Sequence, residues 1–513
     1  MLLTSDSQSP DPVSTAAVAR SGAWAFLGQA LVLASGFVAT PFVVRLLGPV
    51  KYGLWSLLQS IRSYYTLADV GMASASTKLA AERFSIRDPP GEATVIGTAL
   101  ILTVGVTSVA ALAVSVLAPV LVVDVLRVPR YLRSTGITSV RLVSLAAIAY
   151  AATGVINTPQ QVRLRWRSLT CVTSGPLIIQ IVATPIVLAV TFGSVTAIAA
   201  LILGATVAAL LLSYMVGVRL LPEVRRPRIE LRACRHLIAY GGPLAIAALA
   251  WVPLMTAERF FLAHFRSTAQ VAYYAVAASL GSVLTVIPSA VVQPMAPSLT
   301  RLYAEGRRER AIALYHRVFT GVFLLVTPLT FALAAMAMPF LTFWAGVRYG
   351  IHSTRPFYVV LGGFWFNTIG YVPVFHLIAV GRTKVIAAVH LAEVIPYLAV
   401  AAALTDTLGA MGAAIAWSVR AAVETVCFCV IASRLDGLPW SPVPRRTGTG
   451  AAIVLGSGFL MWFATRLSSS FLVRAGIATV VLGLYAVAAW VRVLTANERR
   501  GMRQLVRLWG SPR

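Results

Sequence analysis

Apolar runs of about 18 to 28 residues recur about fourteen times between Ala23 and Leu494, each long enough to carry a helix across the hydrocarbon core of a bilayer. Lipid offers backbone N–H and C=O groups no partner, so such runs must fold as helices whose hydrogen bonds close within the segment. The arginines crowd into every second gap. Roughly 29 of the 43 Lys and Arg fall in the N-terminal tail, the even-numbered gaps and the C-terminal tail, against roughly 10 in the odd-numbered gaps. By the positive-inside bias both ends are expected in the cytoplasm, in a fourteen-helix protein of a bacterial inner membrane. Gaps such as Arg127 to Arg133 run against that bias.

A chain with 58% hydrophobic and 12% charged residues has too little polar surface to coat a soluble globule of this length. Its net charge of +26 would point to nucleic acid in a soluble protein. Here the arginines lie in short loops beside spans, where anionic lipid headgroups are the nearer partner, and no nucleic acid is expected. The four cysteines, Cys171, Cys234, Cys427 and Cys429, lack metal-ligand spacing and a pair in an outside loop, so neither a metal nor a disulfide is expected. Met1 to Arg20 is polar and lacks the features of a signal peptide, which makes it a tail before the first span.

The chain divides by this pattern into a cytoplasmic tail (1–21), a six-helix bundle (22–218), a basic linker (219–240), a second six-helix bundle (241–433), a linker (434–449), two further helices (450–494) and a basic tail (495–513). Halves of six spans repeat at an offset of about 220 residues: Tyr52-Gly53 answers Tyr273-Tyr274, and Gly193 to Ala197 answers Gly412 to Ala416. Six is even, so both halves start from the same side and are related by an axis along the membrane normal. Arg301 to Arg317 alternates charge with apolar residues at helical spacing and reads as an interfacial helix before span nine, or as a charged loop running into it.

From Thr40 the chain reads Thr-Pro-Phe-Val-Val-Arg45-Leu-Leu-Gly48-Pro49-Val-Lys51-Tyr52-Gly53-Leu54-Trp55, and later Leu67-Ala68-Asp69-Val70-Gly71-Met72. Further on come Glu258-Arg259-Phe260-Phe261-Leu262, Ala272 to Ala277, Ala296-Pro297-Ser298-Leu299, Trp344 to Tyr349 and Leu408 to Ala414. These segments resemble the polysaccharide-biosynthesis branch of the MATE-like flippases, over about residues 20 to 435. The resemblance implies two six-helix bundles around a cationic central cavity. It also implies that an undecaprenyl-diphosphate-linked oligosaccharide is carried from the inner to the outer leaflet, with polysaccharide assembly proteins as further partners and no enzymatic activity. No cofactor is implied beyond a coupling ion, a proton or Na⁺.

Charged groups at membrane depth are expensive and face a cavity or a partner. Arg62 lies near the middle of span two, and Asp69, seven residues on, is expected on the same helix face. A guanidinium suits a diphosphate because it donates in a fixed fork and stays charged; a structural Arg62–Asp69 pair is the alternative. Arg141 and Arg420 add positive charge to the expected substrate path, with Glu424 one turn from Arg420 as a neutralising neighbour and snorkelling as the other reading for Arg141. Glu258 and Arg259 are adjacent, point about 100° apart and are not expected to pair within their helix. Glu258, set among Trp251, Phe260 and Phe261, is the first candidate for ion coupling, with plain interhelical pairing as the alternative; Glu393 and His376 come second, and Arg259 and Glu424 complete the set.

Two rivals differ in class. A MATE-type cation-coupled drug exporter would want an acidic cavity, whereas the charge balance within these spans leans positive. A membrane glycosyltransferase or polymerase would want clustered acids in an external loop, yet no Asp-x-Asp occurs and Asp124 is the only acid in the long outside gaps. The peptidoglycan-precursor flippases carry an arginine midway along helix one; Ala23 to Val44 has none and leaves Gln29 as its strongly polar side chain.

Overall fold

The computed structural model describes residues 15–68, 71–225, 229–292, 295–438, 456–463, 470–488 and 490–491. Among them ten helices are long and apolar enough to cross a membrane, and the chain is an all-helical, multi-pass membrane protein. Expected span thirteen, the N-terminal tail and the arginines of the C-terminal tail lie wholly or largely outside the described residues, as do Arg226 and Arg228.

Helix α1, Thr15–Ala68, has two arms that meet at Gly48, whose φ of 66° and ψ of 173° are open to glycine alone. Pro49 follows and lacks an N–H, so the Gly-Pro step separates the first two expected spans. Lys51 pins this turn by donating from Nζ to the Gly193 carbonyl at 3.0 Å. Gly53 makes close backbone approach possible, because a Cβ there would overlap the Thr268 carbonyl. The helix stops at Ala68, and Gly71, left-handed at φ 66°, precedes α2, Met72–Ser85. Expected span two is therefore a broken helix rather than a continuous one.

The chain then runs through α3 (Pro89–Val120), α4 (Arg133–Ile156), α5 (Trp166–Val190), α6 (Val195–Leu220) and α7 (Leu231–Phe265). Asp88 caps α3 by accepting from the Gly91 N–H, with Pro89 and Pro90 in the first turn, where missing donors cost nothing. Expected span eight also breaks: α8 (Thr268–Gly281) gives way to a 3₁₀ turn, Ser282–Thr285, and a short helix, Val286–Val291. Pro288 explains the break, since it has no N–H to return to Leu284. The charged stretch before span nine is neither a separate interfacial helix nor a loop throughout. Met295–Ala304 is helical, Gly306 (φ 70°) turns the chain, and Arg308 opens α9, which runs unbroken to Ala345. There follow α10 (Val347–Ala379), α11 (Thr383–Leu408), α12 (Ala410–Asp436) and α13 (Phe471–Ala488).

The chain forms two compact units that divide after Ala272. In the first, α4 packs on α3 and α6, and α6 on α5; in the second, α10 packs on α9 and α12, and α12 on α11. The same order of neighbours thus recurs six spans later, as the 220-residue offset requires. Helix α7 packs on α1, α2 and α3 within the first unit. In the second, α13 is tied to α9 by Tyr485, whose hydroxyl donates to the Leu324 carbonyl at 2.7 Å.

Each unit is locked at its arginine-rich end by an ion pair. In the first, Arg163 donates twice to Glu92, at 2.6 and 3.0 Å, and its guanidinium lies over the Phe84 ring. In the second, Asp436 accepts from Arg382 at 3.0 Å and from His376 Nε2 at 3.0 Å, and its carbonyl accepts from Arg308. Glu92 is 1% exposed while Arg163 keeps contact with solvent. Removing the arginine strands a buried carboxylate; removing the acid frees a guanidinium that can turn outward. Arg163→Met should therefore destabilise the protein by about 3 kcal/mol or more and Glu92→Gln by less. Thermal unfolding in detergent tests this, and equal losses would contradict it.

Candidate functional site

The first unit encloses a cavity of about 420 Å³ lined from α1, α2, α4, α5 and α6. Its polar lining comes from Arg62, Tyr65, Tyr150, Thr153, Asn157, Thr173, Gln180 and Thr206, and Arg62 is the only charged side chain among the lining residues. No described acid pairs with it. The neighbouring hydroxyls are spent locally: Thr153, Thr173 and Thr206 donate back into their own helices, and Tyr65 donates to Ser144 Oγ at 2.5 Å. This leaves a guanidinium, flanked by neutral amides and hydroxyls, facing a space of the size that takes a small polar ligand. Such a group binds an anionic oxygen pair by two parallel N–H donors.

Of the other residues expected on the substrate path, Arg141 and Arg420 are not in this cavity's lining. Asp69 falls outside the described residues. Arg141 is exposed, in line with the snorkelling reading, and donates from Nε to the Ser115 carbonyl of α3 at 3.3 Å; its length lets the head leave the apolar face of α4. On α7, Glu258 is 1% exposed. Arg259 Nε comes within 4.0 Å of it, and Arg259 Nη1 donates to Ser60 Oγ of α1 at 3.3 Å. The two adjacent residues approach each other only at the outer limit of an ion pair, with Arg259 Nε making no hydrogen bond, and Arg259 finds its hydrogen-bond partner on another helix.

The second unit holds a buried network on α11 and α12. Arg420, 5% exposed, donates to Glu424 at 2.8 Å and lies 3.6 Å from Glu393. Its guanidinium sits near the rings of Tyr397 and Trp417. Glu424 is held a second time by His390 Nε2 at 2.9 Å. Both Glu393 oxygens are buried without a hydrogen bond. Two carboxylates therefore share one guanidinium, and Glu393 has the poorer share: it is the position where a proton or small cation would relieve charge. His390 was missed in the sequence because its partner lies on another helix. Its spacing, three residues before Glu393, was the available signal. His376 belongs to the lock on Asp436 rather than to this network, with its ring edge-on to Tyr303 and Tyr315.

A family model for polysaccharide biosynthesis proteins matches residues 18–303, more than half of the chain. The chain belongs to that family. A Shigella flexneri protein provisionally described as an O-antigen transporter is 27% identical over 192 residues, 37% of this chain and 45% of that relative, so the match spans under half of the relative's length. Among solved structures, the lipid II flippase MurJ in an inward closed conformation superposes with a TM-score of 0.70 at 12% identity, over 90% of this chain and 97% of that one. An inward-facing multidrug-resistance MATE transporter of the MOP superfamily gives 0.67 at 15% identity, over 79% and 94%. At these identities the two superpositions speak to the fold.

If Glu393 is the under-satisfied member of the network, Glu393→Gln should leave the melting temperature unchanged or raised. Glu424→Gln should lower stability by about 2 kcal/mol, the scale of the charge-assisted hydrogen bonds it weakens. A larger loss for Glu393→Gln in the same detergent would reverse the assignment.

Proposed function

We propose that this protein flips an undecaprenyl-diphosphate-linked oligosaccharide from the inner to the outer leaflet of a bacterial inner membrane, for export of a cell-surface polysaccharide. The observation that carries the reading is Arg62, a guanidinium at membrane depth that faces a polar cavity with no described acidic partner. A charge so placed is costly unless it serves an anion, and the diphosphate of the carrier supplies adjacent oxygens that match its fork. Membership of the polysaccharide biosynthesis family supports a glycan as the cargo. A MATE-type exporter of organic cations is the weaker reading, because the Arg62 cavity is lined by no described acid.

On this reading the termini are cytoplasmic, polysaccharide assembly proteins are the partners on either side of transport, and a proton or Na⁺ binding at Glu393, beside Arg420 and Glu424, provides the drive. An ion drives transport only if it prefers one cavity orientation over the other.

Two experiments test these points. In cells lacking the native copy, Arg62→Ala should lower glycan export about tenfold to hundredfold, the range of one charged hydrogen-bonded contact, at unchanged protein level. Arg62→Lys should recover only part of it. Normal export by Arg62→Ala would remove Arg62 from the substrate path, and reduced abundance would make its role structural. For topology, single cysteines at Ser194, Arg226 and Arg503 in a cysteine-free background should give labelling by an impermeant thiol reagent at Ser194 alone. Labelling at Arg226 would invert the orientation.

A further inference from the structure

Helix α2 ends in a left-handed turn of the kind glycine ordinarily fills, and here an arginine fills it. The Arg87 N–H donates to the Phe84 carbonyl and the Asp88 N–H to the Arg83 carbonyl, both at 3.1 Å, the paired bonds that close a helix around one left-handed residue. Arg87 is that residue, at φ 56°, where a Cβ crowds the backbone at a cost that glycine avoids. The turn itself does not ask for the arginine. In the second unit the same two bonds end the helix Met295–Ala304, from Gly306 to Tyr303 at 3.1 Å and from Arg307 to Leu302 at 2.9 Å. The left-handed residue there is Gly306, at φ 70° and 219 positions after Arg87.

What the arginine adds is a charge beside a cavity. About 450 Å³ of space is lined by Phe84, Arg87, Asp88, Glu92 and Arg163 among others, a size that takes a small polar head group. Most of these charges are engaged already. Arg163 donates to both oxygens of Glu92 and to the Pro159 carbonyl, and Asp88 accepts from the Gly91 N–H and from Arg83. Arg87 is exposed and has no ion-pair partner among the described residues. The Asp88 side chain keeps 34% of its surface open, so an unpaired guanidinium and a carboxylate with room for another donor are carried by adjacent residues. The same turn is apolar on its outside, with Ile86 67% and Phe84 43% exposed.

We propose that this cavity binds the head group of an amine-bearing phospholipid of the phosphatidylethanolamine class, with the phosphodiester on Arg87, the ammonium on Asp88 and the acyl chains over Phe84 and Ile86. A guanidinium takes phosphate oxygens in a fork. The carboxylate next to it repels a head of net negative charge and attracts one that carries an amine. A free phosphate would use the guanidinium and leave the apolar side of the turn uncovered, whereas a lipid uses both. Arginine in glycine's place then trades backbone strain for a lipid contact.

The test titrates the full-length protein in lipid-free detergent with phosphatidylethanolamine, with phosphatidylglycerol of the same chains, and with glycerophosphoethanolamine, which has the head without the tails. Native mass spectrometry reads binding and thermal unfolding reads its consequence. Phosphatidylethanolamine should bind at least about tenfold more tightly than either of the others, the scale of one charged contact, and should raise the melting temperature. Arg87→Gly, which installs the residue of the second unit, should melt no lower than the unsubstituted protein when lipid is absent, because strain is relieved, and should bind phosphatidylethanolamine about tenfold or more weakly. Asp88→Asn keeps a side chain that caps α3 and should bind the two lipids alike. Undiminished binding by Arg87→Gly, or equal binding of the two lipids by the unsubstituted protein, overturns the proposal. Glycerophosphoethanolamine binding as tightly as the lipid would overturn the lipid as occupant, and a lower melting temperature for lipid-free Arg87→Gly would give Arg87 a structural role instead.

Discussion

A charged side chain at membrane depth must have either a partner or a polar cavity, because hydrocarbon can solvate neither guanidinium nor carboxylate. The arginines of this chain divide on that constraint. Arg163 and Arg382 are paired with Glu92 and Asp436 and close the ends of their units. Arg420 is paired with Glu424 and approached by Glu393. Arg259 leans on Glu258 and Ser60. Arg62 instead faces a cavity whose described lining is otherwise neutral. Position along a helix does not separate these cases, since every one of them sits in or at the end of an apolar run. The separation lies in what the neighbouring helices bring to each guanidinium.

The repeat was readable from paired sequence offsets, and the structure expresses it as a recurring order of helix neighbours. Residues that the repeat places alike can still be used differently. Arg163 and Arg382 stand 219 residues apart, and each anchors the arginine-rich end of its unit. The first reaches an acid at the start of α3, the second an acid at the end of α12. The second lock also engages a histidine, His376, that the first lacks among its described contacts. The repeat places the two arginines alike, and the surrounding helices give each a different partner.

What could be read in advance followed from local covalent geometry. Gly48-Pro49 marks a turn because only glycine reaches its backbone angles and proline cannot continue a helix backward. Apolar run length gave the class of fold for the same kind of reason. The break before α2 was also written locally, in Gly71, whose left-handed backbone favours glycine. The contacts of His390 with Glu424 and of Arg163 with Glu92 were not legible, because each joins residues far apart in sequence, and a periodicity within one helix carries no information about which face of another it meets. Burial and snorkelling stayed open for Arg141 in the sequence, because an arginine stem long enough to leave the apolar face makes depth a poor guide to burial.

On the proposed reading the two units answer different electrostatic needs. An anionic head requires uncompensated positive charge, and the first unit supplies it in Arg62. A coupling cation requires uncompensated negative charge, and the second unit supplies it in Glu393, whose oxygens are buried without hydrogen bonds while its guanidinium neighbour is already engaged by Glu424. Had both sites been built in one bundle within a few ångströms, the guanidinium and the carboxylate would have paired with each other, and neither would have been left to bind a ligand. Arg62 and Glu393 are carried by different units, and the local neighbours of each leave it unsatisfied. That arrangement also gives cation and substrate separate binding free energies, and transport is driven only if a change between cavity orientations alters both.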